Sequence, residues 1–185
     1  MLQKYKEVIG SDLRHIKLVP YNPLWPEIFF ENKARLEEIL KGINIQVEHI
    51  GSTSLPTVRL AKPIIDIAII NQSEVTTSDI VNIIKRHGFY KNMDCVEDCG
   101  SLRVTEPNNK EFTYNYLDVD RPSNKSLKYK LAFKRYMLEH PYKAEQYSQI
   151  KEEAIKKSVL YNDYIHSKEE FISQITDKAR ALYLN

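Results

Sequence analysis

His49-Ile50-Gly51-Ser52-Thr53-Ser54-Leu55-Pro56, followed by Lys62-Pro63-Ile64-Ile65-Asp66-Ile67-Ala68-Ile69-Ile70, is the stretch whose reading decides the fold. Ile43 to Ile50 alternates as a strand, Gly51-Ser52 turns the chain, and Ile64 to Ile70 makes a second strand. Every residue from Ile64 to Ile70 is apolar except Asp66, the pattern of a strand covered on both faces. An ionised carboxylate left unpaired there costs roughly several kcal/mol, so Asp66 requires a cation, a set of donors or a metal. Function is expected at this point of the chain.

Working outward, Ile16 to Val19 reads as a short strand and Pro20-Tyr21-Asn22-Pro23 as a turn. Trp25, Ile28, Phe29, Leu36, Ile39 and Leu40 recur at helical spacing up to Gly42, with Trp25 as the core anchor. Ile80, Val81, Ile83 and Ile84 form the inner stripe of a second helix ending at Gly88, after which Phe89-Tyr90 restarts a strand. Leu102 to Thr105 and Phe112 to Val119 are strands joined by the hairpin signal Pro107-Asn108-Asn109-Lys110. On the second of them, Tyr114, Tyr116, Asp118 and Asp120 share one face by the two-residue period. Asp118 and Asp120 could share a cation there, but for Asp120 a strand running out into solvent at Arg121-Pro122 is the preferred reading.

From Asn124 onward the pattern is helical. One helix runs from Leu127 to a stop near His140-Pro141, and another runs from Tyr142 to Leu160. A last one is opened by the capping box Ser167-Lys168-Glu169-Glu170, with Phe171, Ile172, Ile175, Ala179 and Leu182 as its inner stripe. The expected fold class is α+β: a mixed β-sheet packed with helices, followed by C-terminal helices. Residues 1–185 form one domain, with 124–185 a helical part of the same unit.

The composition, 42% hydrophobic and 28% charged, fits a soluble globular protein and excludes a disordered chain. No apolar run approaches a bilayer span and no signal peptide opens the sequence, so a cytoplasmic protein without a membrane partner is expected. Cys95 and Cys99 lack the second ligand pair of a structural zinc site and read as free thiols. Charge is unevenly distributed. Residues 91–120 carry three basic against seven acidic side chains, and residues 121–160 ten against four. The basic segment could hold a polyphosphate beside a metal, or be a solvated helix face.

Gly51 allows close backbone approach, and loop N–H groups with the hydroxyls of Ser52, Thr53 and Ser54 can cradle phosphate oxygens. Arg59 and Lys62 are candidates to neutralise phosphate, and Asp66 with a carboxylate from a neighbouring strand could hold magnesium. This is not a P-loop, since no Gly-Lys-Ser/Thr closes it. His49 could donate to phosphate or act as general acid; equally, it could be a buried imidazole bonded to Asp66 or to loop backbone. Most tyrosines read as packing, with Tyr114 or Tyr116 the candidates to stack on a base.

The wording of the stretch adds a resemblance. Glu48-His49-Ile50-Gly51-Ser52-Thr53-Ser54-Leu55-Pro56 and Ala61-Lys62-Pro63-Ile64-Ile65-Asp66-Ile67 resemble the signature of the GrpB family. Val19 to Pro26 resembles the family's opening, and Leu131 to Pro141 its later helical motif. Tyr147 with Lys151, and Lys168 with Phe171-Ile172, match its C-terminal helices. The resemblance implies a nucleotidyltransferase-like fold, shared with DNA polymerase beta, and transfer of a nucleotidyl group from a nucleoside triphosphate to a hydroxyl acceptor with magnesium. In that reading Asp66, Asp118 and His49 are catalytic, Asp66 and Asp118 hold the metal, and Gly51, Ser52, Thr53, Ser54, Arg59 and Lys62 bind phosphate.

The chain also departs from the superfamily pattern. The second strand carboxylate is missing, since Ile64 and Ala68 flank Asp66, and Asp118 stands where the family most often has His. The alternative is a catalytically degenerate binder of a nucleotide or other phosphorylated small molecule. Nucleic acid ranks last as a partner, because no interleaved aromatic motif accompanies the basic segment.

Overall fold

A computed structural model of the chain describes residues 2–15, 17–87, 91–96, 99–106, 108–157 and 161–184. The secondary structure runs β1 (Ser11–Asp12), β2 (Val19–Pro20), α1 (Trp25–Ile39), β3 (Ile45–Ile50), β4 (Leu60–Ala61), β5 (Ile65–Asn71), α2 (Thr77–Arg86), β6 (Lys91–Val96), β7 (Cys99–Glu106) and β8 (Asn109–Asp120). Four helices follow: α3 (Lys125–Glu139), α4 (Pro141–Lys157), α5 (Tyr161–His166) and α6 (Glu169–Tyr183). The expected α+β class with a mixed sheet is what forms. Five strands lie in the order β3-β5-β8-β7-β6, with β1 pairing the early part of β8, while β2 and β4 make a separate two-stranded ribbon. Among the described residues, only the β5–β8 pair of the larger sheet is parallel.

The apolar run places β5 inside the sheet, between β3 and β8, where every residue except Asp66 is buried. One face of the sheet carries Val47, Ile65, Ile67, Ile69, Leu102, Leu117 and Val119 and packs against α1 and α2. Trp25, fully buried, is the anchor of α1; its indole N–H reaches the Val8 carbonyl and its ring meets Tyr21 edge-on at 5.1 Å. The opposite face presents Ile50, Ala68 and Ile70 to Leu127 and Leu131 of α3. A further core joins Leu55 and Val58 of the loop after β3 to Ala132, Tyr136 and Met137 of α3, Ala144 and Tyr147 of α4, and Ile175 and Ala179 of α6. The loop bearing Gly51-Ser52 is thus packed against the C-terminal helices.

Several expectations are corrected at the element ends. The last helix has no capping box: Ser167 Oγ donates instead to the Tyr164 carbonyl, Lys168 is the N-cap, and its side chain makes no capping bond. Leu182 is 63% exposed and leaves the inner stripe. The helix expected from Tyr142 to Leu160 is α4, described as far as Lys157, and the short α5 beyond it was not anticipated. Asp120 does not run out into solvent; it is 5% exposed and accepts from Asn124 Nδ2 at 2.9 Å, while Asn124 Oδ1 caps α3 by accepting from the Leu127 N–H. Ile16, Gly88, Phe89, Tyr90 and Pro107 lie outside the described residues, as do the side chains of Cys95 and Cys99.

Candidate functional site

Gly51 ends β3 with φ +69°, and a one-turn 3-10 helix, Ser52–Ser54, follows. A Cβ built on Gly51 would lie 2.7 Å from Asp66 Cγ, so only glycine lets the turn rest against this carboxylate. The register explains the encounter: Ile50 at the end of β3 faces Asp66, and Asp66 in turn faces Tyr116 on β8. Asp118, opposite Ala68, lies one pleat further along β8 on the same face, diagonal to Asp66.

Around Asp66 is a recess of about 230 Å³ lined by Gly51, Ser52, Lys62, Tyr116, Tyr147, Lys151, Tyr164 and Lys168. Tyr147 and Lys151 come from one face of α4, four residues apart. Lys151 is 1% exposed; its ammonium donates to Ser52 Oγ and to the Leu60 carbonyl, both at 2.8 Å, and lies 4.2 Å from the Tyr147 ring centroid. Lys168, at the start of α6, and Lys62, before β5, lie over the Tyr164 ring at 4.1 and 5.2 Å. Gly51, Ser52 and Tyr147 also border an adjoining, largely apolar cleft of about 480 Å³ that includes Tyr129, Lys130, Phe133 and Ile172.

The electrostatics follow from burial. Desolvation, helped by the charge on Asp118 and opposed by Lys62, Lys130 and Lys168, pushes the Asp66 carboxyl up to about 7. Burial lowers Lys62 to about 8 against the pull of Asp66. It lowers Lys168 to about 8 as well, with Lys62 adding repulsion. Lys151 is held well below the ordinary lysine value by burial and by the two neighbouring lysines. Cations crowded together at the cost of desolvation, beside a single carboxylate, make a pocket poised for a polyanion.

The expected site residues fall into two groups. Gly51, Ser52, Lys62 and Asp66 line the recess, and Asp118 faces the same side of the sheet. Thr53, Ser54, Arg59 and His49 do not line it. Thr53 is buried and its hydroxyl donates to the Ile64 carbonyl at 3.0 Å, while Ser54 Oγ donates to the Gly51 carbonyl at 2.7 Å. Arg59 is exposed and paired with Glu145 and Glu152 at 2.8 and 3.1 Å. His49 faces Ile67 in register and so lies on the other side of β3 from Ile50, stacked on Phe29 at 4.7 Å. Because the Thr53 proton goes to Ile64, His49 Nε2 is the donor in its 3.0 Å contact with Thr53 Oγ1. Burial, with Lys134 nearby, depresses the imidazole to about 3, so it is a neutral strut beneath the turn. Of the two tyrosines considered for stacking, Tyr116 lines the recess, whereas Tyr114 packs on Phe112 and donates to Glu106.

Tyr147, Lys151, Tyr164 and Lys168 received no role from the sequence. The available signal was the one-turn spacing of Tyr147 and Lys151 in a predicted helix, together with the family match of those positions and of Lys168.

The donors present do not suit the magnesium that the family resemblance implies. Both Asp118 oxygens are engaged, Oδ1 by Ser101 Oγ at 2.7 Å and Oδ2 by Lys130 Nζ at 2.6 Å. Among the described residues no three His, Cys, Asp or Glu side chains converge as a metal-binding group. One carboxylate ringed by lysines and a second that is already ion-paired do not fit a magnesium centre.

Fold and site together define an α+β protein with a basic, tyrosine-lined recess on one face of its sheet. The chain belongs to the GrpB family, whose model, described as GrpB protein, matches residues 15–178. A crystal structure of conserved protein GrpB from Enterococcus faecalis is 30% identical, covers 91% of this chain and 100% of that one, and superposes with a TM-score of 0.76. UPF0157 protein YqkA of Bacillus subtilis is 29% identical over 168 residues, 90% of this chain but 48% of that protein. The chain thus spans about half the length of that relative. The likeness to the GLD-2/RNP-8 complex, at 9% identity and a TM-score of 0.48, is remote, and nothing about activity follows from it. No described helix is long and apolar enough to cross a membrane.

Proposed function

We propose that this chain binds a phosphorylated small molecule, a nucleotide first among the candidates, with its phosphates in the Asp66 recess. The observation that carries this reading is the convergence of Lys62, Lys151 and Lys168 with the Gly51-Ser52 turn on one small cavity. Burying ammonium groups side by side costs stability, and a multiply charged anion is the ligand that offsets that cost. Lys151 is tied to Ser52 and Leu60 and fixes the turn, and Lys168, which lines the same recess, is the group proposed to meet phosphate oxygens. The adjoining cleft, with Tyr129, Phe133 and Tyr147, offers ring faces to a base.

Calorimetric titration with ATP and with inorganic pyrophosphate tests the reading. Lys168→Met is expected to weaken both by tenfold or more, since a charge-assisted hydrogen bond is worth about 1.5–3 kcal/mol. Equal affinity in wild type and variant, with circular dichroism confirming the fold, would contradict it.

The second reading is nucleotidyl transfer, and the observation in its favour is that Asp66 and Asp118 share a face of adjacent strands. Transfer of label from an α-labelled nucleoside triphosphate, abolished by Asp66→Asn, would establish it in place of simple binding.

A further inference from the structure

We infer that the Lys130 ammonium takes the place a divalent cation would occupy beside Asp118, so that this site handles phosphate with ammonium groups and without a metal. Lys130 projects from α3, which is fixed over this face of the sheet by Leu127 and Leu131 packing on Ile50, Ala68 and Ile70. Its Nζ lies 2.6 Å from Asp118 Oδ2, and it is also within electrostatic reach of Asp120 and Asp66. The carboxylate of Asp118 is therefore already paired with a cation that the protein itself supplies. The second Asp118 oxygen, Oδ1, accepts from Ser101 Oγ, and Asp120 Oδ1 accepts from Asn124 Nδ2.

A metal needs open lone pairs on at least two convergent ligands, and magnesium in particular tolerates little distortion. Here the position flanking Asp66 on the Asp118 side is Ala68, which brings no donor. The ammonium is smaller in charge than Mg²⁺ but is covalently tethered, so it needs no free ion and cannot be chelated away. The inference extends the phosphate-binding reading, but its core claim, that Lys130 excludes a metal, stands on the carboxylate geometry alone.

The test is an electron paramagnetic resonance titration of Mn²⁺ with the full chain, in wild type, Lys130→Met and Lys130→Met with Asp118→Asn. Wild type is expected to leave the free Mn²⁺ signal undiminished below millimolar concentration. Lys130→Met, by releasing Asp118, is expected to bind Mn²⁺ at least tenfold more tightly, and the added Asp118→Asn to abolish that gain. Lys130→Gln repeats the experiment with a polar side chain should the Met variant fold poorly. Wild-type binding as tight as that of Lys130→Met, no gain in either Lys130 variant, or a gain that survives Asp118→Asn would each overturn the inference.

A parallel titration of wild type with inorganic pyrophosphate in EDTA separates the two claims. Pyrophosphate binding that EDTA abolishes overturns the lysine substitution. Absence of pyrophosphate binding with and without Mg²⁺, together with the expected Mn²⁺ pattern, removes the phosphate-binding reading and upholds the Lys130 assignment.

Discussion

Gly51 and Asp66 act as one unit: the glycine has no Cβ, the turn closes onto the carboxylate, and the enclosure disfavours its charged form. The consequence is a carboxyl that titrates near neutrality, about 7 when folded against 3.8 as its ordinary value. Between those values the folded protein holds a proton at Asp66 that the unfolded chain has lost, so stability falls as pH rises from about 4 to about 7 and stays lowered above. Asp66→Asn is therefore expected to melt higher than wild type at pH 8, with the gap closing toward pH 4. The same change is expected to strengthen pyrophosphate binding at pH 8 in EDTA, because it removes a negative charge from the recess. Melting curves and calorimetry across pH check both, and an Asp66→Asn protein that binds pyrophosphate more weakly in EDTA would contradict the charge argument. Asp66 was conspicuous in the sequence as the single charge in an apolar run; His49 was not separable from it, because adjacent strand residues point to opposite faces and only the register tells which faces the turn.

The helix α4 is the element that turns a strand-loop motif into a pocket. Ser148 Oγ accepts from the Arg59 N–H at 2.9 Å and donates to the Ala144 carbonyl, and one turn of helix away Lys151 holds Ser52 and the Leu60 carbonyl. Ser148→Ala is expected to lower stability by about 1 kcal/mol, the cost of leaving the Arg59 N–H unpaired, with an unchanged denaturant slope. A urea melt measures it; an unchanged midpoint would mean that this N–H finds water. The helices themselves were legible from their apolar spacing, as were the strands on either side of Gly51-Ser52. Their faces toward the site were not. A lysine or tyrosine in a helix rich in both carries no mark of burial, and Lys151 differs from Lys143 or Lys156 only in what the fold sets opposite it. The capping box at Ser167 misled for a related reason, since the preceding turn of α5 competes for the same hydroxyl.

Taken as a whole molecule, the C-terminal helices close over the loop of the N-terminal sheet through the shared core of Leu55 and Val58 with α3, α4 and α6. The recess lies where they meet, built from Gly51 to Asp66 on one side and from Tyr147 to Lys168 on the other. This is why half the site could be read in one continuous stretch of sequence and the other half could not. Entry of a phosphate group between these two halves can be followed by two-dimensional ¹H–¹⁵N NMR during titration with inorganic pyrophosphate in EDTA. Saturable shifts are expected at Gly51, Ser52 and Lys62 together with Lys151 and Lys168. Shifts confined to other surfaces, or none at millimolar pyrophosphate, would contradict it.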